Sequence, residues 1–430
     1  MLVPNQVKIN NDYILSFSMS NYLIYGGGTN LVVSNHQKLF NKHGISYVCV
    51  APFLLHGKKY VKFQDYWSLI IDGNYIGVLS TINLIRALDE ANKGGASLQS
   101  IHIHHWKNAN LNAFQSIMNR LESNVYMFIH DYSTICCNFT LLRHGEFCGD
   151  GKISEEKCVG CSYYADSFRN RIEYEEIWDK LKKRLMFVFP SDVALKVWTA
   201  AYPKYEELCC VIPHQKCIGT YDGNMNNTLN KARVAFIGSR ENYKGWKVFF
   251  ELYNKNKGNP NFEWIYFGTD DVNIPNIKCV YVDNRQNPMA MLNALRQNSV
   301  DVAILWSLCK ETYSYTYFEC YAANVFVLTN KNSGNIAFQV SKNGNGAVLE
   351  STAELFNLFE NEIINSVNTF KTGKKKGPKF LTTNDSILEC CDSCDINNTI
   401  KKNSINNLRI NNSPLLYFEI FHMKIRKLRG

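Results

Sequence analysis

The chain of 430 residues lacks the features that mark an exported, membrane-spanning or disordered protein. Residues 1–6 contain no basic stretch followed by an apolar run, which argues against a secretory signal. No run of about 18 apolar residues occurs, so no transmembrane helix is expected. Charged residues make up 20% and hydrophobic residues 46%, which is ordinary for globular domains. We therefore expect a cytoplasmic protein of roughly two to three domains.

Basic residues are not in large excess outside the end of the chain. The net charge is +9, from 47 Lys and Arg against 38 Asp and Glu. Residues 371–430 hold twelve of the basic and five of the acidic residues, so most of the excess lies in this tail. A protein with a basic face for nucleic acid is therefore not expected. Fifteen cysteines without an export signal indicate free thiols or metal ligands rather than disulfides.

Short apolar runs alternate with amphipathic stretches, which is typical of α/β domains with a parallel sheet covered on both faces. We predict an N-terminal domain at 1–225 with a cysteine-containing insertion at 131–165, a second domain at 226–368, and a tail at 369–430. Strands are predicted at 46–51, 100–104, 125–129, 185–189, 233–237, 263–267, 279–282, 302–305 and 325–329. Helices are predicted at 30–43, 109–121, 245–255, 288–297 and 316–323.

A glycine run precedes the first predicted helix, at 26–28. Glycines there let the backbone approach a ligand closely, and helix N-terminal amides attract phosphate. The run is not a dinucleotide fingerprint, because Leu31 stands where that motif needs its last glycine. A tight turn without a ligand is the alternative.

Histidines cluster at the ends of two predicted strands. His130 and Asp131 follow the strand 125–129, and open α/β sheets bind ligands at the carboxyl ends of their strands. His130 can bind a hydroxyl or stabilise developing charge there, or it can be a satisfied structural histidine. We interpret His102 and His104 as structural. We do not expect these two and His105 to bind metal, because no carboxylate pattern accompanies them.

Two glutamates flank the most informative stretch, 311–319. A helix of eight residues covers roughly 12 Å, comparable to the separation of the sugar and the ribose in a nucleotide sugar. Glu311 could then reach the sugar and Glu319 the ribose, with the intervening amides and the hydroxyls of Ser314 and Thr316 at the diphosphate. The alternative is two exposed glutamates.

Two cations follow the predicted strand 233–237. Arg240 and Lys244 could neutralise a diphosphate at this strand end. The alternative is that both are solvated surface residues.

Taken in order, these motifs resemble the retaining glycosyltransferases of family 4, in particular bacterial enzymes that build O-antigen or capsule. The resemblance spans about residues 20–360. It implies the GT-B architecture, in which two Rossmann-like domains face a cleft, here followed by a helical, basic tail. It includes the motifs at 26–28, 130–132, 190–191, 211–214, 238–246, 301–307, 311–319 and 333–334.

The resemblance implies transfer of a sugar from a nucleotide sugar to a saccharide acceptor, expected to be lipid-linked, with retention of anomeric configuration. It assigns catalytic roles to His130, Lys244 and Glu311. It assigns donor binding to Gly27, Gly28, Arg240, Lys244, Ser314, Tyr315, Thr316 and Glu319.

The chain departs from the family pattern beside the first of the two cations. The family's arginine directly follows the glycine, but here Ser239 holds that position and Arg240 comes one place later. No divalent metal or other cofactor is expected, because no Asp-x-Asp motif is placed to chelate one. The alternative function is a binding protein that keeps the cleft and has lost catalysis.

Four cysteines in the insertion, Cys136, Cys148, Cys158 and Cys161, end in a Cys-x-x-Cys motif. They could bind a structural zinc ion, or they could be packed free thiols. Three further cysteines in the tail, Cys390, Cys391 and Cys394, are more simply explained as free thiols.

The last segment of the tail is apolar and then basic, which predicts an amphipathic helix. It could lie on the anionic inner face of a membrane, pack back on the N-terminal domain, or do both. Its apolar residues at 415–421 precede Lys424, Arg426, Lys427 and Arg429.

Overall fold

The computed structural model describes residues 6–55, 57–148, 156–220, 229–271, 273–284, 287–373, 377–378, 380–391 and 405–429. The strands are β1 (Gln6–Asn10), β2 (Asp12–Phe17), β3 (Ser46–Pro52), β4 (Tyr66–Ile71), β5 (Asn74–Ser80), β6 (Ser97–Ile103), β7 (Val125–Phe128), β8 (Leu142–Arg143), β9 (Glu146–Phe147), β10 (Leu185–Phe189), β11 (Cys209–Val211), β12 (Gln215–Ile218), β13 (Ala232–Ile237), β14 (Phe262–Gly268), β15 (Ile277–Tyr281), β16 (Val302–Ile304), β17 (Phe326–Asn330), β18 (Gly346–Leu349), β19 (Phe380–Thr383) and β20 (Ile405–Arg409).

The α-helices alternate with these strands. They are α1 (Gly28–Lys42), α2 (Thr81–Lys93), α3 (Leu111–Met118), α4 (Tyr164–Leu181), α5 (Asp192–Ala201), α6 (Trp246–Asn256), α7 (Ala290–Gln297), α8 (Tyr315–Ala322), α9 (Asn335–Asn343), α10 (Thr352–Asn361), α11 (Ile363–Thr372) and α12 (Leu416–Arg429). Short 3₁₀ helices lie at Val61–Phe63, Lys182–Arg184, Pro203–Leu208, Asn242–Lys244 and Asp385–Cys390.

The first domain is built on an eight-stranded sheet in the order β11-β10-β7-β6-β2-β3-β4-β5. Its strands are parallel except for the edge, where β4 pairs antiparallel with both β3 and β5. The expectation of a wholly parallel sheet was wrong at this edge. For the pairing of β4 with β5 the cause is local, because Asp72 and Gly73 both have positive φ and form the two-residue turn of a tight hairpin. Asp72 also accepts hydrogen bonds from the Tyr47 N–H at 2.7 Å and the Ser46 hydroxyl at 2.9 Å.

The second domain has a six-stranded sheet in the order β15-β14-β13-β16-β17-β18, and every pairing in it is parallel. The apolar runs predicted as strands between 233 and 329 all occur here as strands. Two apolar clusters cover the two faces of this sheet, because its strands are buried on both sides. The α/β fold predicted from the sequence is therefore confirmed, and its carboxyl strand ends form one edge of the interdomain cleft.

The C-terminal part of the chain returns to the first domain. β20 pairs antiparallel with β1, and the Ser413 N–H donates to the Val78 carbonyl at 2.7 Å. Leu416, at the start of α12, is buried against Phe53 and Val78. α11 crosses residue 369, the expected start of the tail, while the expected boundary near 225 lies outside the described residues. Within the described part of the chain, no helix is both long enough and apolar enough to cross a membrane.

Candidate active site in the interdomain cleft

Loops from the carboxyl ends of β7, β13 and β16 enclose a cavity of about 360 Å³ between the two domains. His130 and Asp131 follow β7, Lys244 follows β13, and residues 309–316 lie in the loop after β16 and the first two positions of α8. All of these positions lie at the cavity wall. Parallel sheets bind ligands at this edge because the connecting loops and helix N-termini meet there.

Lys244 and Glu311 form an ion pair in this cavity. The Lys244 Nζ atom lies 2.7 Å from Glu311 Oε1, which also accepts a hydrogen bond from the Ser307 hydroxyl at 2.9 Å. Burial alone would lower the pKa of Lys244, but the adjacent Glu311 carboxylate outweighs it and raises this pKa above its ordinary value. Lys244 is therefore a fixed positive charge at the carboxyl edge of the second sheet.

Two glycines allow the loops around this pair to approach each other. Gly245 has φ of 88°, and a Cβ atom there would lie 2.2 Å from the Trp306 carbonyl oxygen. Gly334 has φ of 64°, and a Cβ there would lie 2.6 Å from the Glu311 nitrogen. Any other residue at either position would therefore be strained and would push the loops apart.

The helix predicted at 316–323 is present, but it covers only part of the segment between the two glutamates. Residues 311–314 are not helical, and α8 starts at Tyr315 with Ser314 as its N-cap, so the two glutamates are not joined by eight residues of helix. The Ser314 hydroxyl accepts from the Tyr317 N–H at 3.3 Å and lies 3.0 Å from the Thr316 hydroxyl. The first-turn amides of α8, including those of Tyr315 and Thr316, have no partner within the helix and suit an anion.

Glu319 lies inside the second domain and not in the cavity wall. It is 3% exposed, and its Oε1 accepts from the Asn284 side-chain amide at 3.1 Å. Oε2 has no hydrogen-bond partner among the described residues. Burial raises the pKa of Glu319 to about 7. A buried carboxylate oxygen without a donor is costly, and it would accept a hydroxyl donor from a ligand.

The ring of His130 is positioned by neighbouring side chains of the first domain. Its Nε2 lies 3.0 Å from His104 Nδ1, and His104 Nε2 lies 3.0 Å from the Tyr47 hydroxyl. The Thr312 hydroxyl, from the second domain, donates to the His130 carbonyl at 2.6 Å. Burial, and then the neighbouring His105, lowers the pKa of His130 to about 3. His130 is therefore a neutral imidazole at neutral pH and acts as a hydrogen-bonding group rather than as a charge.

A second cavity, of about 890 Å³, lies on the first-domain side. It shares His130, Asp131, Phe139 and Tyr243 with the smaller cavity, so the two adjoin. Side-chain amides and charged groups that could bind sugar hydroxyls line it, namely Asn108, Asn110, Asn112, Asn170 and Glu173.

The remaining donor-site candidates are divided between the two cavities and the surface. Gly27 lies at the wall of the larger cavity and Gly28 at that of the smaller one, where α1 begins. Arg240 lies in neither wall: its Nε is 3.8 Å from Asp270, and its guanidinium lies over the Trp246 ring. The geometry therefore does not bring Arg240 together with Lys244.

The four insertion cysteines lie around a short hairpin formed by β8 and β9, with Cys158 and Cys161 in a separate turn. Cys148 N–H donates to the Leu141 carbonyl at 2.7 Å, and Cys161 N–H donates to the Cys158 carbonyl at 2.9 Å. Among the described residues, however, no three of the four sulfur atoms lie within 4.8 Å of one another. The site therefore fits a zinc ion only in its ligand types and not in its present spacing.

No family model and no curated protein matches the chain. Solved structures do match: sucrose-phosphate synthase from Thermosynechococcus elongatus is 12% identical with a TM-score of 0.53, covering 85% of this chain and 92% of that one. A glycosyltransferase from Rickettsia africae is 12% identical at 0.51, covering 84% and 93%. HepE from Anabaena, solved with UDP-glucose, is 12% identical at 0.50, covering 84% and 92%. These likenesses confirm the GT-B fold predicted from the sequence.

Proposed function

We propose that this protein is a glycosyltransferase that moves a sugar from a nucleotide sugar to a saccharide acceptor. The observation that carries the proposal is the Lys244–Glu311 pair beside the first turn of α8, opposite the neutral imidazole of His130. A cation and free helix amides suit a diphosphate leaving group, while a carboxylate and an imidazole suit sugar hydroxyls. HepE, which has this fold, was solved with UDP-glucose, in support of a nucleotide-sugar donor.

In the proposed reaction the donor occupies the smaller cavity and the acceptor the larger one. The diphosphate would take Lys244 as its partner and free the Glu311 carboxylate for the sugar. Negative charge grows on the diphosphate as the glycosidic bond breaks, and Lys244 with the α8 amides stabilises it. His130 would hydrogen-bond the donor sugar. In this arrangement Lys244 and the α8 amides would neutralise the phosphate charge without a divalent metal.

The finer assignments rest on the resemblance in sequence. We infer family 4 membership, retention of configuration, a lipid-linked acceptor and a place in surface-polysaccharide synthesis, such as O-antigen or capsule. The same resemblance assigns the ribose to Glu319, whose Oε2 has no partner among the described residues but lies behind the cavity wall, so the ribose would have to displace part of that wall. Attachment to the inner face of a membrane through the tail belongs to the same proposal.

A catalytically inactive protein that binds nucleotide sugars is the alternative. A panel of nucleotide sugars, tested by thermal shift and then by donor hydrolysis, separates the two. A donor that binds the folded state raises the melting temperature. Release of nucleoside diphosphate that is lost in Lys244→Ala and kept in Lys247→Ala, an exposed lysine on α6, supports the enzyme. Binding without turnover, even with added acceptors, supports the alternative.

A further inference from the structure

Three histidines meet inside the first domain, beneath the cleft. His36 comes from α1, and His102 and His104 are alternate residues at the end of β6, so both of these point to the same face of the sheet. Their exposed fractions are 4%, 0% and 1%. One ligand nitrogen from each lies within 4.8 Å of the other two, a grouping found nowhere else among the described residues.

The hydrogen bonds of His102 fix which of its nitrogens is free. His102 Nε2 lies 3.0 Å from the Cys390 carbonyl oxygen, which can only accept, so Nε2 carries the proton. His102 Nδ1 is then unprotonated and has a free lone pair, and this atom is buried without a partner in the described part of the chain. A histidine whose outer N–H is held by a backbone carbonyl is oriented as metal-ligating histidines are.

The other two histidines also offer electron pairs. His36 Nδ1 is buried with no partner among the described residues, which is unusual because buried polar atoms are nearly always paired. His104 Nε2 is hydrogen-bonded to the Tyr47 hydroxyl at 3.0 Å, so a bound ion would replace this hydrogen bond and take both atoms as ligands. Burial lowers the pKa of all three imidazoles, so each ring is neutral at neutral pH and has one unprotonated nitrogen.

We propose that His36, His102 and His104 bind one Zn²⁺ ion, with the Tyr47 oxygen as the fourth ligand. Zn²⁺ accepts imidazole nitrogen in tetrahedral sites. Burial raises the pKa of Tyr47 well above its ordinary value, so the ion would have to displace the phenol proton to solvent, and the phenolate formed would offset part of the charge. The site joins α1 to β6 and is structural, since no solvent-exposed position is left. The assignment of this site does not rest on the proposed function.

The ion would also set the tautomer of His130. With zinc on His104 Nε2, the proton of that ring lies on Nδ1 and is donated to His130 Nε2, 3.0 Å away. His130 then carries its own proton on Nδ1. The metal would thus influence the protonation of His130 in the cleft through one hydrogen bond, without contacting a substrate.

Metal content and cobalt spectroscopy of the full chain test this site. Protein produced with added zinc and dialysed against a weak chelator should retain about one Zn²⁺ per chain. Reloading with Co²⁺ should give visible absorption of a tetrahedral nitrogen and oxygen site, without the near-ultraviolet band of cobalt bound to thiolate. Loss of the ion is expected in His36→Phe and in His102→Phe. It should be kept in His43→Phe, an exposed histidine at the end of α1.

The cysteines of the insertion are the other candidate zinc ligands, so a variant of them distinguishes the two sites. In the proposed site, Cys158→Ser with Cys161→Ser leaves the nitrogen-type cobalt spectrum unchanged. A thiolate band, metal lost only in the cysteine variant, or metal-free wild-type protein that takes up no cobalt would each overturn the proposal. The wild-type spectrum distinguishes nitrogen from thiolate ligands even if the histidine variants fail to fold.

Discussion

Lys244 Nζ lies 2.7 Å from Glu311 Oε1, although 67 positions separate the two residues. Each residue follows a neighbouring strand of the second sheet, and Ser307 fixes the carboxylate from the same loop. The pair presents a cation and an anion to a cavity that His130 also lines. The expected consequences of this geometry can be measured.

Removing either charge of this pair should abolish transfer while the protein stays folded. Lys244 is 37% exposed and its partner 13%, so Lys244→Ala and Glu311→Gln leave no large cavity in the core. We expect a loss of about 100-fold or more in turnover, as for other groups that stabilise developing charge. Thermal unfolding checks the fold, and Lys247→Ala and Glu251→Gln on the exposed face of α6 are matched controls. Loss of cooperative unfolding would mark the pair as structural.

Activity should survive saturating EDTA added during turnover, because Lys244 and the α8 amides meet the phosphate charge in the proposed mechanism. The measurement is the rate before and within minutes after the addition. Prompt loss that magnesium or manganese reverses would contradict this donor-site geometry. Slow loss over hours with zinc release would report on a structural ion, and the metal content of the histidine and cysteine variants would tell which site held it.

Glu319→Gln should stabilise the ligand-free protein at high pH and weaken donor binding. The folded-state pKa is about 7, above the ordinary 4.5, so burying the charged form opposes folding as the pH rises through this window. We expect no effect below pH 4.5 and a gain on the order of 3 kcal/mol at most above pH 7. Denaturant unfolding at pH 4.5 and pH 8 measures it, with Glu251→Gln as the exposed control. If the stability difference between the variant and the wild type is the same at both pH values, and the variant binds the donor normally, both parts of this prediction are wrong.

The tail should attach the protein to anionic vesicles. Tyr417, Phe418 and Phe421 are exposed at 76%, 55% and 60%, while Leu416 on the same helix is buried against the first domain. Basic residues of the segment each contribute on the order of 1 kcal/mol near an anionic surface. Truncation before Leu415 should therefore reduce vesicle sedimentation, with activity on a soluble acceptor kept.

Because truncation also removes the buried Leu416, a surface variant is the cleaner measurement. Phe418→Ser with Phe421→Ser should weaken vesicle binding and leave the melting temperature unchanged. Replacing the four basic residues after 423 with glutamine should do the same and abolish the salt dependence. A full-length chain that ignores anionic vesicles at low salt, together with unfolding on truncation, would make the tail purely structural.

The sequence by itself located five of the six strands of the second sheet, whereas β18 and the first-sheet strands β2, β4, β5 and β11 were not predicted. Apolar runs with helical spacing between them located the five strands, because hydrophobic periodicity is a local property of the chain. The same pattern placed His130, Lys244 and Glu311 after the ends of predicted strands. The Asp72-Gly73 dipeptide is typical of a hairpin turn, although we did not predict a hairpin there.

Only the tertiary structure decided which of these residues meet. Arg240 turns to Asp270 instead of joining Lys244, and Thr312 reaches the His130 carbonyl across the cleft. His36 is 66 positions from His102, so no spacing in the sequence relates them. Such contacts depend on how helices and loops from remote segments pack on a sheet, and the free energy that selects them belongs to the assembled core rather than to any short stretch of sequence.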